Sequence, residues 1–455
     1  MSDTPASPTD APAPNQFALL RRRRFLPLFL VGFTGAFNDQ VYQKAFVALI
    51  TYRLAQDLEM SIALLGVIAS GLFILPFAVV TPTAGQIADR IDKAVMMRWV
   101  KAWEIVVMCL AVVGYYTQNV VFLYFVLFLM GAQSAMFAPI KYSVLAQYLH
   151  RSELVGGNGL VQGATFLAII FGTIIGNELI LTENGVFIVS CVVVGVAIIG
   201  FITSLFTPTA PPITTERRPV DWVFPRAIWQ LIRNCRQNKP AFRAIMAISW
   251  FWFLGATFFS LLPSYAKEAL GVDETVLTIL LAGFSIGVAL GAVATERLTH
   301  GKVNVSLPPI GALGLAIMAV ELYIATPPPP VEGAALLSRA EFFATFTGWR
   351  ILIDFVLLAA FAGIYVTPLN TVLQAESPDE RRAQFIACSN VVDASLMVGS
   401  AALVAVFIAL GLSTPAVLTA VTLTALPMAF LVARYAPETP LGRIALWLWP
   451  RGPIG

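Results

Sequence analysis

Apolar residues run along the chain in blocks of about 20 to 30, parted by short polar or proline-containing turns, and twelve blocks are long enough to cross a bilayer as helices. Their limits fall near 25–52, 62–82, 94–116, 120–149, 159–182, 185–206, 242–266, 275–297, 306–326, 349–374, 384–411 and 414–436. The pattern predicts an all-α membrane protein. Composition agrees: 58% of the 455 residues are hydrophobic and 12% charged, where soluble domains carry about 25% charge. The cysteines Cys109, Cys191, Cys235 and Cys388 are scattered and three fall in apolar blocks, so neither a disulfide framework nor a metal site is expected.

Charge placement supplies the topology. With both ends on one side, the segments on that side collect Arg21–Arg24, Arg90, Lys93, Arg98, Lys101, Lys141, Arg151, Arg217, Arg218, Arg226, Arg233, Arg236, Lys239, Arg243, Arg297, Lys302, Arg381, Arg382, Arg434, Arg443 and Arg451. That is 24 of the 29 basic residues, which the positive-inside rule puts in the cytoplasm. Residues 1–20 are expected to be a disordered cytoplasmic tail, and the first apolar block a retained helix. The long polar connector 207–241 divides the remainder into a six-helix bundle over 21–206 and another over 242–436, with 437–455 as a second cytoplasmic tail. Asp221 to Asn238 reads either as a tether or as a basic amphipathic helix with Trp222, Phe224, Ile228, Trp229 and Ile232 against lipid. The loop 327–347, with Pro327–Pro330, reads as a stiff extended cap. An internal repeat supports the division. YFVLFLMGAQSAMFAPIKYSVLAQ answers DFVLLAAFAGIYVTPLNTVLQAES, with Pro139 matching Pro368 and Asn158 matching Asn390 in the segments that follow, and GQIADR at Gly85–Arg90 echoes GAVATER at Gly291–Arg297.

The costliest residue is Asp39. Counted from Arg24 it lies roughly 21 Å up a helix, near the middle of the bilayer, where a charge costs about 2.5–3.5 kcal/mol on insertion scales and usually faces a bundle interior or wet cavity. The competing reading is a carboxylate that only locks helix packing. Asn38 adds a second polar group beside it. Lys141 stands roughly 14 Å from the inner end of the fourth block, within snorkelling reach of the same depth, and Pro139 two residues earlier bends the helix and frees carbonyls. It reads alternatively as an interfacial lysine. Gln133, Asn158 and Gln162 line a polar path or make interhelical hydrogen bonds. Glu104, Glu178 and Glu321 are weaker signals, Asp354 and Asp393 are the better second-half counterparts, and Lys44 competes with Lys141 for Asp39.

The turn PTAGQIADRIDKAVMMR resembles the inner-loop signature of the major facilitator superfamily, G-x-x-A-D-R-x-x-[RK], at Gly85, Ala88, Asp89, Arg90 and, one place early, Lys93. That resemblance implies two bundles rocking about a central path, with Gly85, Asp89, Arg90 and Lys93 as a conformational latch. Within the superfamily the chain looks like the lysophospholipid transporter branch, on AFNDQ (Ala36–Gln40), AGQIAD (Ala84–Asp89), FAPIKYSVLAQ (Phe137–Gln147) and LVGGNGLVQGATFLAIIFGTIIG (Leu154–Gly176). Gln40, Ala138, Ser143 and Asn177 depart from the branch pattern.

The branch resemblance implies an Asp39–Lys141 cavity ion pair, with Asp39, Asn38, Lys141, Gln133, Asn158 and Gln162 binding substrate. It implies a monomeric, multi-pass inner-membrane flippase moving lysophospholipids to the cytoplasmic leaflet, without cofactor. Membrane lipids, acyltransferases and acyl-carrier-protein synthetases are the implied partners, and nucleic acid is not. The competing functions are a proton-coupled exporter of small amphipathic solutes and a non-transporting anchor for lipid enzymes. Enzyme readings fail on the sequence: neither His150 nor His300 begins an H-x4-D acyltransferase pattern, and no G-x4-G-K-[ST] phosphate loop occurs.

Overall fold

The computed structural model describes all residues except 1–14, 52–61, 214–218, 304–305, 332–334, 436–439 and 449–455. The expected tail therefore lies outside the described residues over 1–14, as do Arg217, Arg218 and Arg451. The last residues of the expected tail, 16–20, fold together with Arg21 as a 3-10 helix capped by the Asn15 side chain.

The membrane helices of the first half are α1 (Leu26–Leu49), α2 (Ile62–Val79), α3 (Thr81–Ala88), α4 (Lys93–Thr117), α5 (Val120–Tyr148), α6 (Leu154–Ile180) and α7 (Gly185–Leu205). A surface helix, α8 (Phe224–Gln237), precedes α9 (Lys239–Ser264), α10 (Glu274–Thr299) and α11 (Leu307–Ala325). The short α12 (Arg339–Phe343) leads to α13 (Phe346–Glu376), α14 (Arg382–Ala409), α15 (Thr414–Thr422), α16 (Ala425–Ala433) and α17 (Pro440–Leu448). Among the described residues nine helical segments are long and apolar enough to span a bilayer, ten if α2 and α3 form one bent span. The first and third expected blocks lie on α1 and α4, which are not among these segments.

Local chemistry explains several boundaries. Asp92, Asn119 and Asp273 accept the first free N–H groups of α4, α5 and α10. The second block is not straight: it bends by 43° between α2 and α3, just after Pro76, which has no N–H to continue the ladder. The last block breaks between α15 and α16 at Leu423–Thr424.

The connector is a helix where it nears the second half. Ala227, Leu231 and Cys235 of α8 are buried, and Ile228 and Ile232 pack on the second-half core rather than against lipid. Trp222, Phe224 and Trp229 remain exposed. Its earlier part is laced to the α3–α4 turn, where Asp92 accepts from Ala210 N at 3.1 Å and Gln86 accepts from Asp221 N at 3.0 Å. The proline loop is less extended than expected, since Ser338 and Glu341 cap α12 reciprocally and Leu337 pairs with Val272.

Apolar packing divides by chain position. One cluster gathers buried residues from Leu231 to Val432 with Phe166, while two others draw on Leu19 to Ala210 with Ala383. The two sets of helices meet through α6 on α10 and α13, and through α2, α3 and α5 on α14.

Candidate functional site

A buried polar network lies inside the first-half helices. Lys101 and Glu104, one turn apart on α4, form an ion pair at 2.6 Å with both side chains almost fully buried. Glu104 also accepts from Asn38 of α1 and Gln133 of α5, each at 3.0 Å, which meets the demand that a buried charge be paired and hydrogen-bonded. Lys101 is packed over the Phe137 ring at 5.3 Å. Its ammonium comes so near Gly35 that a Cβ there would stand 2.9 Å away. Ser134 carries the network outward, lying 3.2 Å from Gln133 Oε1 and donating to Asp39 at 2.5 Å. Asn38 and Gln133 thus serve the pair, and Asp39 marks its edge.

Lys141 faces the same region without joining the network. Among the described residues no ion pair links it to Asp39 or to any other carboxylate. Its stem runs past Gly32 and its ammonium sits over the Tyr142 ring at 4.7 Å, a cation–π contact worth about 0.5–2 kcal/mol. The expected Asp39–Lys141 contact is absent because Asp39 has turned to Ser134, although both remain within electrostatic reach. Lys44 likewise forms no ion pair among the described residues, and its Cβ lies beside Gly176. The Tyr142 hydroxyl lies 3.3 Å from Gln162 on α6. On α14, Asp393 accepts from Ser249 at 2.5 Å and Ser389 at 3.4 Å. Asp354 lies elsewhere, with the Arg350–Glu321 pair.

Asn158 is part of a seal between the halves rather than of the Lys141 group. Its amide and that of Gln374 on α13 exchange hydrogen bonds at 2.9 and 2.8 Å, with Thr371 at 3.3 Å. Nearby, Gln16 donates to Val293 O of α10 at 2.9 Å. On the same basic face the Asp89 carboxylate accepts from Ala383 N at 3.0 Å, Gln384 N at 3.1 Å and the Gln384 side chain at 3.3 Å. It therefore caps the N-terminus of α14, where the helix dipole favours negative charge. Gly85 makes this possible, because a Cβ there would lie 2.7 Å from Ala387 Cβ and 3.0 Å from Ala383 O. Burial pushes the Asp89 carboxyl up to about 6, opposed by the Ala383 N–H and by Lys93. Lys93 is buried beside it, while Arg90 is half-buried.

Lys101, Ser134, Tyr142, Ser249 and Gln374 are not among the residues the sequence points to at the site, whereas Glu104 is read there as a weaker signal and Asp393 as a second-half counterpart. A detectable signal existed for Lys101 and Glu104: opposite charges three residues apart share a helix face. Ser134, Ser249 and Tyr142 gave none, since hydroxyl residues are common in membrane helices.

The matching family model is that of the Major Facilitator Superfamily, which covers residues 28–395. The lysophospholipid transporter LplT of Cronobacter sakazakii is 25% identical over 97% of this chain and 99% of its own length. That of Serratia proteamaculans is 26% identical over 81% and 83%. Among solved structures, the human organic anion transporter MFSD10 aligns with a TM-score of 0.70 at 14% identity over 90% of this chain and 99% of its own. A bacterial homologue of the iron transporter ferroportin gives 0.67 at 14% identity over 91% and 99%. With a family match over most of its length, the chain belongs to the major facilitator superfamily and is a multi-pass membrane transporter rather than an enzyme.

Proposed function

We propose that the protein carries lysophospholipids from the outer to the cytoplasmic leaflet of the inner membrane by alternating access. Its termini lie in the cytoplasm, on the side where the basic residues gather. The six helical spans before the connector and the six after it act as two bundles that rock about the path between them. The observation that carries the reading is Lys141: a half-buried cation deep in a membrane helix, without an ion-pair partner among the described residues.

An unpaired charge at such depth is costly, and a phosphate is the complement that offsets the cost with charge-assisted hydrogen bonds. Asp39, Asn38, Gln133 and Gln162 shape the polar wall around it, and the acyl chain stays in apolar surroundings. Asn158 with Gln374, and the latch at Gly85, Asp89, Arg90 and Lys93, seal the path from the basic face. The relatives bearing the lysophospholipid transporter name supply the substrate class, and acyltransferases or acyl-carrier-protein synthetases would consume the product.

The test is transbilayer movement of labelled lysophosphatidylethanolamine in proteoliposomes, with and without a proton gradient. Transport by the parent protein that falls at least tenfold in Lys141→Gln is expected. No movement under either condition would refute the reading, and movement only with the gradient would show that a proton is coupled to it.

A further inference from the structure

The segment that leads into α1 belongs to the first half yet touches the second. Its anchor is Arg24, whose guanidinium donates to both oxygens of Glu153, at 2.6 and 2.7 Å, and to Tyr148 O at 2.8 Å. Earlier in the chain the 3-10 helix Gln16–Arg21 lies along the seam between α6 and α10. Leu19 is buried in the first-half cluster that holds Leu154 and Leu160 of α6. Gln16 is buried as well, and its amide crosses the seam to donate to Val293 O of α10 at 2.9 Å. A glycine of α6 makes its seat: a Cβ at Gly156 would stand 2.8 Å from Gln16 Cβ and 3.3 Å from Glu296 Cγ of α10.

The other seam on this face, between α3 and α14, is closed by the Asp89 cap. In the internal repeat, Thr295 follows Gly291 by the same interval as Asp89 follows Gly85. Thr295 spends its hydroxyl on Gly291 O of its own helix, at 2.9 Å. Among the described residues the repeat therefore supplies no counterpart of the Asp89 cap at the α6–α10 seam. We infer that residues 15–24 are a strap that locks this seam on the basic face in place of that cap, and that Gln16 must release Val293 each time the face opens. Arg24 keeps the strap on the first half throughout, so opening breaks only the contacts Gln16 makes with α10. A bond present in the sealed state alone biases the equilibrium toward that state. The lock concerns the conformational cycle and holds whatever molecule is carried.

The test is made on the full chain in proteoliposomes without substrate, by spin-label distances in a background lacking the exposed Cys109 and Cys191. One pair, Ser152→Cys with Lys302→Cys, spans the seam on the basic face, and another, Glu183→Cys with Glu268→Cys, joins the two halves at the opposite face; all four positions are exposed. Gln16→Glu removes the donor and sets a second carboxylate beside Glu296. In that variant a population with a longer basic-face distance is expected to grow at least about fivefold, on the scale of a lost hydrogen bond, with a matching growth of shorter distances at the opposite face. Gln16→Ala deletes the hydrogen bond without adding charge and is expected to give a shift of roughly twofold to tenfold, which keeps the lock testable where Gln16→Glu fails to fold. Unchanged distributions in the variants that fold overturn the lock. So does lengthening on the basic face with no response at the opposite face, because the segment would then be a local clasp. Failure of the parent to move lysophospholipid refutes the function proposed above and leaves these distances, and the strap, to be judged separately.

Discussion

Replacing Asp89 by Asn perturbs the seal on the basic face while leaving the path around Lys141 untouched. The carboxylate holds three N–H groups at the start of α14 with two oxygens. Asn keeps one acceptor, loses the other, and removes the charge that faces the helix dipole. Hydrogen bonds to charged groups contribute about 1.5–3 kcal/mol each, so loss of one shifts the ratio of sealed to open states by roughly tenfold to a hundredfold. The assay is a spin-label distance between Ser152→Cys and Glu380→Cys, both exposed on that face, in a background without the exposed Cys109 and Cys191. A longer distance population should grow in Asp89→Asn, with lysophospholipid binding retained. An unchanged distribution together with lost binding would refute the latch and place Asp89 in the substrate site.

Breaking the Asn158–Gln374 exchange by Asn158→Ala leaves a buried amide unsatisfied at about 1–3 kcal/mol. It should open the same face in the spin-label assay, whereas Gln162→Ala should not. Lys101→Met strands Glu104 and should lower stability by about 3–5 kcal/mol, measured as melting temperature in detergent, and adding Glu104→Gln should restore most of it.

Hydropathy located the helices because lipid demands apolar blocks of fixed length. Depth was legible too: Asp39 and Lys141 do share a region. The azimuth of each helix was not, because a helix surrounded by lipid and other helices is apolar on most faces and carries no strong phase. The ion pair assigned to Asp39 and Lys141 therefore belongs instead to Lys101 and Glu104. Lys101 had been counted with the edge residues, although α4 begins at Lys93 and puts it two turns inside. Asn158 matched Asn390 as a repeat, but whether it faced the path or the seal depended on Gln374, more than two hundred residues away. That Asp89 reaches the other half was legible because a charged turn between two apolar blocks has few places to go. Its acceptor at the start of α14 was not.

The charges in the membrane helices fall into two kinds, and the difference predicts opposite responses to neutralisation. Lys101 and Glu104 satisfy each other within one helix, so their desolvation is offset within the protein and removal of either destabilises it. Lys141 is half-buried and, among the described residues, has the Tyr142 ring in place of an ion-pair partner, so the protein alone bears the cost of holding it, up to about 3 kcal/mol on insertion scales. Neutralising it with a side chain of similar length should then raise the stability of the ligand-free protein while weakening substrate binding. Lys141→Met and Lys101→Met, compared by melting temperature in detergent without lipid, should move in opposite directions. Lysophosphatidylethanolamine should raise the melting temperature of the parent but leave that of Lys141→Met nearly unchanged. If Lys141→Met melts lower than the parent and still responds to the lipid, Lys141 is a structural cation, and the phosphate belongs elsewhere in the path.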